Sequence, residues 1–359
     1  MSAGLHGAFS SRTSGAPARM AIAPGRPVRG RSPWSAVVRV RCCTLLLYVR
    51  LPHAEGAKMA EALPSGYQPQ TICVPGGRNL GYCLYGPGDG IPVVFFYGTP
   101  GTMFLAPDRL VPVDELGIRL LVADRPGYGA STRLPGRSIA SVGDDLAVLA
   151  DHLGWDRFAV WGASGGGPHA LACAARMGDR VTRCASVVSP APFDTDDLDW
   201  LAGMSALNVD EFTRALAGEA AYRPMAEQLA RDAVTAAERG GLAVADGYDL
   251  AESDRAVLTA QARSPGHLFR TKAAYTGGID GCVDDVLALT RPWNVDVATI
   301  RVPVSIWYGP DDALCPRAHT DWLAEHIPGA EARELPGGHV LDLTSLRRLY
   351  TWLLNSQVT

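Results

Sequence analysis

Lysine is nearly absent from this sequence. Lys58 and Lys272 are the only lysines among 359 residues, and acidic residues outnumber lysine and arginine by 37 to 33, so the formal net charge is −4. A nucleic-acid-binding domain is usually basic, and this balance argues against a nucleic-acid partner. Long apolar runs are also missing, since residues 42–49 are too few to cross a bilayer. We expect a small-molecule substrate and neither a nucleic-acid nor a membrane partner; the oligomeric state stays open.

Paired cysteine motifs are absent as well. The eight cysteines are scattered through apolar stretches, with no Cys-x-x-Cys and no spacing typical of a zinc site. A chain of this length does not need a disulfide framework, so we expect buried free thiols in a reducing compartment. These absences predict a cytoplasmic protein without a structural metal.

Residues 1–58 differ in composition from the rest of the chain. They are rich in arginine, serine, glycine, alanine and proline, and Glu55 is their only acid. Such a composition predicts disorder. Two interpretations stay open: a transit peptide, or a reading frame extended upstream of a true start at Met59. We favour the second, and peptides from upstream of Met59 in the native protein, detected by mass spectrometry, would contradict it.

Strand and helix patterns alternate along most of the remaining chain. Short apolar runs such as residues 91–97 (IPVVFFY) and 302–309 (VPVSIWYG) predict strands, and amphipathic helical stretches lie between such runs. This order predicts an α/β protein with a mostly parallel central sheet flanked by helices. Residues 193–291 carry only helical patterns, which predicts a helical lid inserted between two parts of the core, residues 59–192 and 292–359.

The glycine-rich stretch GASGGG, residues 162–167, follows a predicted strand and precedes a predicted helix. Two kinds of site share this arrangement: a dinucleotide loop, which holds a pyrophosphate, and a nucleophile elbow, Gly-x-Ser-x-Gly, which presents a serine hydroxyl. A dinucleotide loop normally follows the first strand of its unit, with an acid about 20 residues further on. This stretch follows roughly the fifth strand and has no acid near Cys184, so we favour an elbow with Ser164 as nucleophile.

A serine nucleophile needs a histidine base and a carboxylate that orients the histidine. Two later loops supply these residue types in the order Ser, Asp, His, each after a predicted strand. The first loop, GPDDALCP, contains Asp311 and Asp312, and the second, GGH, ends with His339. Since these loops belong at the same edge of the sheet, we expect them to converge on Ser164.

A further requirement is an oxyanion hole, a pair of backbone N–H groups that stabilise the developing negative charge. Gly165 directly follows the nucleophile and supplies one of them. The other belongs in the loop after an early strand, which here is YGTPG, residues 97–101. Because Pro100 has no N–H to donate, Thr99 is the predicted second donor.

Taken together, these motifs resemble the α/β-hydrolase fold superfamily, and within it the Ser-Asp-His group that includes proline iminopeptidases, small-molecule esterases and cofactor-free haloperoxidase-like hydrolases. The resemblance rests on YGTPG, DRPGYGAST, GASGG, GPDDALCP and GGH. It implies that Asp312, three residues past the loop glycine, is the triad acid rather than Asp311. The oxyanion loop of that family usually begins His-Gly, whereas Tyr97 stands here, which puts the fine geometry of the loop in question. The resemblance gives Asp124 and Arg125 a shaping role and no chemistry.

The predicted lid offers candidates for substrate binding. The substrate-binding residues stay unknown; Trp200 and Met204 are candidates for lining an acyl pocket, and packing within an amphipathic lid explains them too. Two histidines lie near the predicted triad without an assigned role. His169 is expected to pack against the sheet, and His319, on the helix after the acid loop, is expected to face solvent.

The sequence predicts a serine hydrolase that acts on an ester-like carbonyl of a small molecule through an acyl-enzyme intermediate, with no metal or cofactor. Three alternatives stay open: a proline iminopeptidase-like aminopeptidase, a biosynthetic thioesterase or cyclase, and a ligand-binding member of the fold without activity. A serine at the nucleophile position argues against the epoxide-hydrolase and dehalogenase branches of the family, which use an aspartate there. No motif in residues 193–291 names the substrate.

Overall fold

Eight strands form one sheet in the part of the chain that the structure describes, residues 69–242 and 247–355 of this computed structural model. The strands are β1 (Gln70–Val74), β2 (Arg78–Tyr85), β3 (Ile91–Phe96), β4 (Ile118–Ala123), β5 (Phe158–Ala163), β6 (Val181–Val187), β7 (Val304–Tyr308) and β8 (Glu331–Glu334). Their order across the sheet is β1-β2-β4-β3-β5-β6-β7-β8. Only the pairs that include β1 or β2 are antiparallel, which confirms the mostly parallel sheet predicted from the sequence.

Helices cover both faces of this sheet. The core helices are α1 (Pro107–Glu115), α2 (Ser141–Leu153), α3 (Gly167–Arg176), α9 (Arg317–His326) and α10 (Leu343–Leu354), and those between β6 and β7 are α4 (Ala206–Leu216), α5 (Glu219–Glu238), α6 (Glu252–Ala262), α7 (His267–Ala273) and α8 (Asp280–Leu289). Among the described residues between β6 and β7 there is no strand. Residues 193–291 are called the helical insertion below.

The central strands are buried on both faces. In β3, Val93 and Val94 belong to different apolar clusters, because successive side chains of a strand point to opposite faces. The same holds for Val160 and Trp161 of β5. Helices on both faces explain why these strands are continuous apolar runs rather than alternating ones. Because β3, β5, β6, β7 and β8 are parallel, the loops that follow them lie at one edge of the sheet.

Three sequence predictions concern residues 1–58, a membrane-spanning helix and the cysteines. Those made for residues 1–58 fall outside the described residues and stay predictions. No helix within the described ranges is long and apolar enough to span a bilayer. Within those ranges Cys83, Cys173, Cys184, Cys282 and Cys315 are buried, and Cys73 is half-buried.

Candidate active site

Ser164 stands at a sharp turn between β5 and α3. Ala163 before it is extended, with φ −112° and ψ 141°, whereas Ser164 has φ 52°. Positive φ is uncommon outside glycine and persists only where the surrounding fold holds it in place. Gly162 lets the turn close, because a Cβ there would collide with the carbonyl oxygen of Gly166. The local geometry is therefore a strand, a strained turn and a helix, as an elbow requires.

The imidazole of His339 is paired with the carboxylate of Asp312. Nδ1 of His339 lies 2.8 Å from Oδ2 and 3.0 Å from Oδ1 of Asp312. The backbone N–H groups of Leu314 and Cys315 donate to the same Oδ1 over 2.8 and 2.9 Å. A carboxylate accepts, so Nδ1 carries the hydrogen and Nε2 keeps its lone pair. The neighbouring Asp311 is exposed and makes no contact of this kind with His339.

Two carboxylates act on the protonation of His339. Burial lowers the pKa of the imidazole, but the charge of Asp312, the hydrogen bond to Asp312 and the charge of Asp254 together raise that pKa above its ordinary value of 6.5. A nearby negative charge has this effect because it favours the protonated, positively charged imidazole. His339 is therefore a stronger base than a free histidine side chain.

Ser164 and His339 line one cavity of about 580 Å³. Helices of the insertion form the facing wall through residues that include Phe212, Tyr222 and Leu258. The hydroxyl of Ser164 and the imidazole of His339, both in the described part of the chain, are not hydrogen-bonded to each other. In enzymes without substrate this contact is often too long to count as a hydrogen bond. The same ranges contain no group of three or more His, Cys, Asp or Glu side chains arranged to hold a metal ion.

The loop after β3 lies against this turn. A Cβ at Gly98 would stand 3.2 Å from Cβ of Ser164, and a Cβ at Gly165 would stand 3.5 Å from the backbone nitrogen of Thr99. The backbone N–H of Thr99 donates to no other backbone group in the described part of the chain. An unpaired amide beside the nucleophile is available to a developing oxyanion. Both sequence-predicted donors thus lie next to Ser164.

Tyr97 occupies the first position of this loop, where the related family usually has histidine. Its hydroxyl donates to Oδ1 of Asp124 over 3.2 Å and accepts from the backbone N–H of Arg125 over 3.1 Å. The same Asp124 oxygen accepts the backbone N–H of Met103 at 2.8 Å. Burial raises the pKa of Asp124 to about 6, although these hydrogen bonds act in the opposite direction. Tyr97 therefore ties the oxyanion loop to the segment that follows β4.

A buried aspartate of the insertion also holds the oxyanion loop. Asp285 on α8 forms ion pairs with Arg125 and Arg137, each at 2.5 Å, and accepts the hydroxyl hydrogen of Thr99 at 2.9 Å. Arg125 donates in addition to two carbonyl oxygens of the loop, over 2.6 and 2.9 Å. Burial favours the neutral acid, but the two guanidinium groups hold the pKa of Asp285 well below its usual range. The loop is thus anchored by a permanently charged network.

Sequence reasoning did not identify Asp285. Its contacts with Arg137 and Thr99 span 148 and 186 residues of chain, so no local pattern links them. One signal exists: Asp284 and Asp285 interrupt the apolar helix DGCVDDVLAL, and a buried aspartate is rare unless it is paired. Asp284 has its own partner, Arg133, at 2.9 Å.

Trp200 and Met204, the two candidates for lining an acyl pocket, are not among the residues around the cavity. The indole N–H of Trp200 donates to the carbonyl oxygen of Ala191 over 2.8 Å, and its ring packs against Phe212 with centroids 4.6 Å apart. Met204 is buried, and its sulfur accepts a hydrogen bond from Asn208 over 3.4 Å. Both side chains pack the insertion against the core. Insertion residues that do line the cavity include Glu211, Phe212, Tyr222, Tyr248, Leu258 and Gln261.

The two unassigned histidines are both buried. His169 packs in the core as expected, and burial lowers its pKa to about 4. The expectation that His319 faces solvent is wrong, since the residue is 1% exposed. It lies on the inner face of α9 together with Thr320 and Leu323. Its Nδ1 accepts the backbone N–H of Ala191 over 3.2 Å, and burial lowers its pKa to about 4.

Two known proteins are similar in sequence to this chain. The chain is 29% identical to a non-heme chloroperoxidase of Streptomyces lividans over 153 residues, which is 42% of this chain and 55% of that protein. It is 26% identical to a pimeloyl-[acyl-carrier protein] methyl ester esterase of Chromobacterium violaceum over 264 residues, 72% of this chain and 89% of that protein. The match to the chloroperoxidase thus spans little more than half of that relative.

Solved structures show the same fold at low sequence identity. The enol-lactonase of Burkholderia xenovorans superimposes with a TM-score of 0.56 and 19% identity, covering 80% of this chain and 100% of that one. The model of the alpha/beta hydrolase fold family matches residues 91–344, which include the elbow, the Asp312 loop, His339 and the whole helical insertion. The chain belongs to the α/β-hydrolase fold family.

Proposed function

We propose that this protein is a serine hydrolase that cleaves an ester-like carbonyl of a small molecule through an acyl-enzyme intermediate. The observation that carries the proposal is the convergence of Ser164 and the His339–Asp312 pair on one cavity. Thr99 and Gly165 lie beside the serine with backbone N–H groups suited to an oxyanion. These are the parts that acyl transfer by a serine nucleophile needs.

In the first step, Nε2 of His339 takes the hydroxyl proton of Ser164 while Oγ attacks the ester carbonyl carbon. Asp312 keeps the proton on Nδ1, so the imidazole presents the correct nitrogen to the serine. The carbonyl oxygen becomes an oxyanion, which accepts hydrogen bonds from the backbone N–H groups of Thr99 and Gly165. Each such donor is worth about 3 kcal/mol in comparable enzymes.

Collapse of the tetrahedral intermediate breaks the bond to the leaving oxygen. Imidazolium Nε2–H of His339 protonates the departing alcohol, and the acyl group stays on Oγ of Ser164. Water then enters the cavity, gives its proton to His339 and attacks the acyl carbonyl. The second collapse releases the acid and restores the serine hydroxyl.

The helical insertion is proposed to act as the lid of this site, over a core of residues 59–192 and 292–359. Support comes from the cavity wall opposite Ser164, which consists largely of apolar insertion side chains such as Leu229, Ala233 and Leu258. A wall of this kind favours an apolar acyl or alcohol group, because burial of such a group is favourable wherever it meets apolar surface.

One observation favours a second candidate, an aminopeptidase of the iminopeptidase type. Glu211 lines the cavity, and its two carboxylate oxygens accept the phenol hydrogens of Tyr222 and Tyr248 over 2.5 and 2.8 Å. Among the described residues no Lys, Arg or His forms an ion pair with it, and burial raises its pKa. A substrate ammonium group beside Glu211 would supply the missing positive charge.

Steady-state kinetics with paired substrates test both candidates. The wild-type protein is assayed with a p-nitrophenyl ester and with a proline p-nitroanilide, alongside Ser164→Ala and a serine control, Ser141→Ala, at the start of α2 away from the cavity. We expect ester turnover that falls by about 10⁴-fold or more in Ser164→Ala and is unchanged in the control. Preference for the proline amide would favour the aminopeptidase, and ester turnover that survives Ser164→Ala would contradict the proposal.

A further inference from the structure

An aspartate of the insertion contacts the backbone of the loop that carries His339. Asp254 lies in the first turn of α6 and is 1% exposed. Its Oδ2 accepts the backbone N–H of His339 over 2.8 Å, and its Oδ1 accepts the backbone N–H of Val340 over 2.9 Å. Both oxygens of one carboxylate are thus used to hold two consecutive residues of a distant loop.

The loop is built to let α6 approach closely. A Cβ at Gly338 would collide with the carboxylate of Asp254 and would stand 3.0 Å from Cβ of Ala251. Only glycine leaves room for the helix at this distance. The contact is therefore part of the fold of the loop, and a displacement of α6 would remove both acceptors from it.

The other end of α6 reaches the same loop through Arg109. With its amide oxygen turned toward Arg109, Gln261 accepts from Nε and Nη2 over 3.3 and 2.5 Å. Nη2 of Arg109 donates to the carbonyl oxygen of Leu341 over 2.6 Å. Both Gln261 and Arg109 line the cavity that contains Ser164. Helix α6 thus holds the loop that carries His339, called the base loop below, at two points of its backbone. One contact is direct, through Asp254, and the other runs through Arg109.

The charges that face His339 come from two elements. Asp312, after β7, holds Nδ1, while Asp254, on α6, holds the backbone N–H. The guanidinium of Arg109 lies further along the loop, at Leu341. In the described ranges no Lys, Arg or His forms an ion pair with Asp254, so its charge is not offset nearby. That charge helps to raise the pKa of His339.

We propose that Asp254 is a positioning residue for the base. It holds helix α6 of the insertion against the His339 loop, so that the imidazole is correctly oriented toward Ser164 only while α6 packs on the core. The inference rests on the proposed serine-hydrolase function. Asp254 is not among the residues that line the cavity, and it acts through the backbone of His339 and through its charge.

The test measures kcat and KM for a p-nitrophenyl ester as a function of pH in Asp254→Asn, Asp254→Glu and the control Glu252→Gln, an exposed acid of the same helical turn. In Asp254→Asn one acceptor is replaced by an N–H₂ group and the charge is lost. We expect kcat to fall by roughly 10- to 100-fold, part of what a well-placed base contributes, with little change in KM. Loss of the negative charge also lowers the pKa of His339, so the acid limb of the profile moves to lower pH.

Asp254→Glu retains the charge but misplaces the acceptors, so kcat is expected to fall while the acid limb stays close to that of the wild type. Glu252→Gln is expected to match the wild type in both. A wild-type kcat and acid limb in Asp254→Asn would overturn the proposal, as would an equal loss in the control. If circular dichroism shows that Asp254→Asn is unfolded, Asp254→Glu decides, and a wild-type kcat there contradicts the proposal. Failure of the underlying function has its own signature, since ester turnover would then survive Ser164→Ala.

Discussion

The two loops beside Ser164 are both tied to the helical insertion by a buried aspartate, but the two aspartates have different surroundings. Asp285 holds the oxyanion loop and is matched by two guanidinium groups, those of Arg125 and Arg137. Asp254 holds the base loop through backbone N–H groups, and no described Lys, Arg or His pairs with it.

The two aspartates therefore differ in what their charge does to the site. The arginines keep the pKa of Asp285 well below its usual range, so the oxyanion loop has the same anchor at any pH near neutrality. The charge of Asp254 instead acts on a histidine, and it helps to raise the pKa of that imidazole above its ordinary value. Asp285, whose charge is balanced by arginines, holds a loop in place. Asp254, whose charge is not balanced in this way, also makes His339 a stronger base.

The largest expected effect concerns the base loop and its acid. Asp312→Asn keeps the shape of the side chain but presents an N–H₂ group to Nδ1, so His339 adopts the wrong tautomer. We expect kcat for a p-nitrophenyl ester to fall by about 10⁴-fold. Asp311→Asn, at the exposed neighbour, is the matched control and should leave kcat unchanged; an equal loss in both variants would show that the assignment to Asp312 is wrong.

The ion pairs of Asp285 should matter more for stability than an ion pair at the surface. Asp285→Asn leaves two buried guanidinium groups without a counter-charge, and we expect the free energy of unfolding in urea to fall by about 3–5 kcal/mol. Glu115→Gln breaks an exposed pair with Arg347, whose side chains are 51% and 45% exposed, and should cost less than about 1 kcal/mol. Similar losses in the two variants would contradict the role of the buried Asp285 ion pairs in stability.

A substitution at the elbow tests whether Thr99 must lie close to Gly165 for both to donate to the oxyanion. A Cβ at Gly165 would stand 2.5 Å from Oγ1 of Thr99, so Gly165→Ala should push the oxyanion loop away from Ser164. We expect kcat to fall by roughly 10- to 100-fold, comparable to the loss of one donor. Gly143→Ala, in α2 with only ordinary contacts to Arg176, is the control; unchanged activity in Gly165→Ala would argue against Thr99 as a donor.

The smallest expected effect is a shift in the pH profile. Only neutral His339 can accept the serine proton, and its pKa lies above 6.5 in the folded protein. Activity should therefore be full at higher pH and decline as the pH falls through that raised pKa. The Asp285 network titrates far below this window and should leave no limb there. A profile of kcat/KM with its acid limb below about pH 6 would contradict the effect of the two carboxylates.

The residues after parallel strands were predictable from sequence, whereas the residues that hold their loops were not. Ser164, the loop with Asp311 and Asp312, and His339 each follow a strand, and the ends of parallel strands share one edge, so their order along the chain predicted that they converge. The choice of Asp312 over Asp311 came from the family resemblance. Asp254 lies 85 residues from His339 in sequence, inside a helix whose periodicity predicts a helix but not which loop its first turn will contact.

The surroundings of side chains in the helical insertion were also not predictable, because they depend on contacts between distant parts of the chain. A tryptophan such as Trp200 is expected on the buried side of an amphipathic segment, but periodicity does not distinguish the core from a cavity wall. His319 illustrates the converse, because a polar residue on a surface helix was expected outside and instead accepts a backbone hydrogen bond inside. Tyr97 could be recognised as unusual, but its bond to Asp124 depends on a loop packing that only the folded chain provides.

Labelling with a fluorophosphonate probe shows whether Ser164 is an activated nucleophile. The folded wild-type protein is incubated with the probe, digested, and the modified residue is identified by mass spectrometry. We expect a single adduct on Ser164, absent in Ser164→Ala and formed much more slowly in His339→Ala. Folded wild-type protein that takes up no probe, or an adduct that persists in Ser164→Ala, would contradict the role of Ser164 as nucleophile.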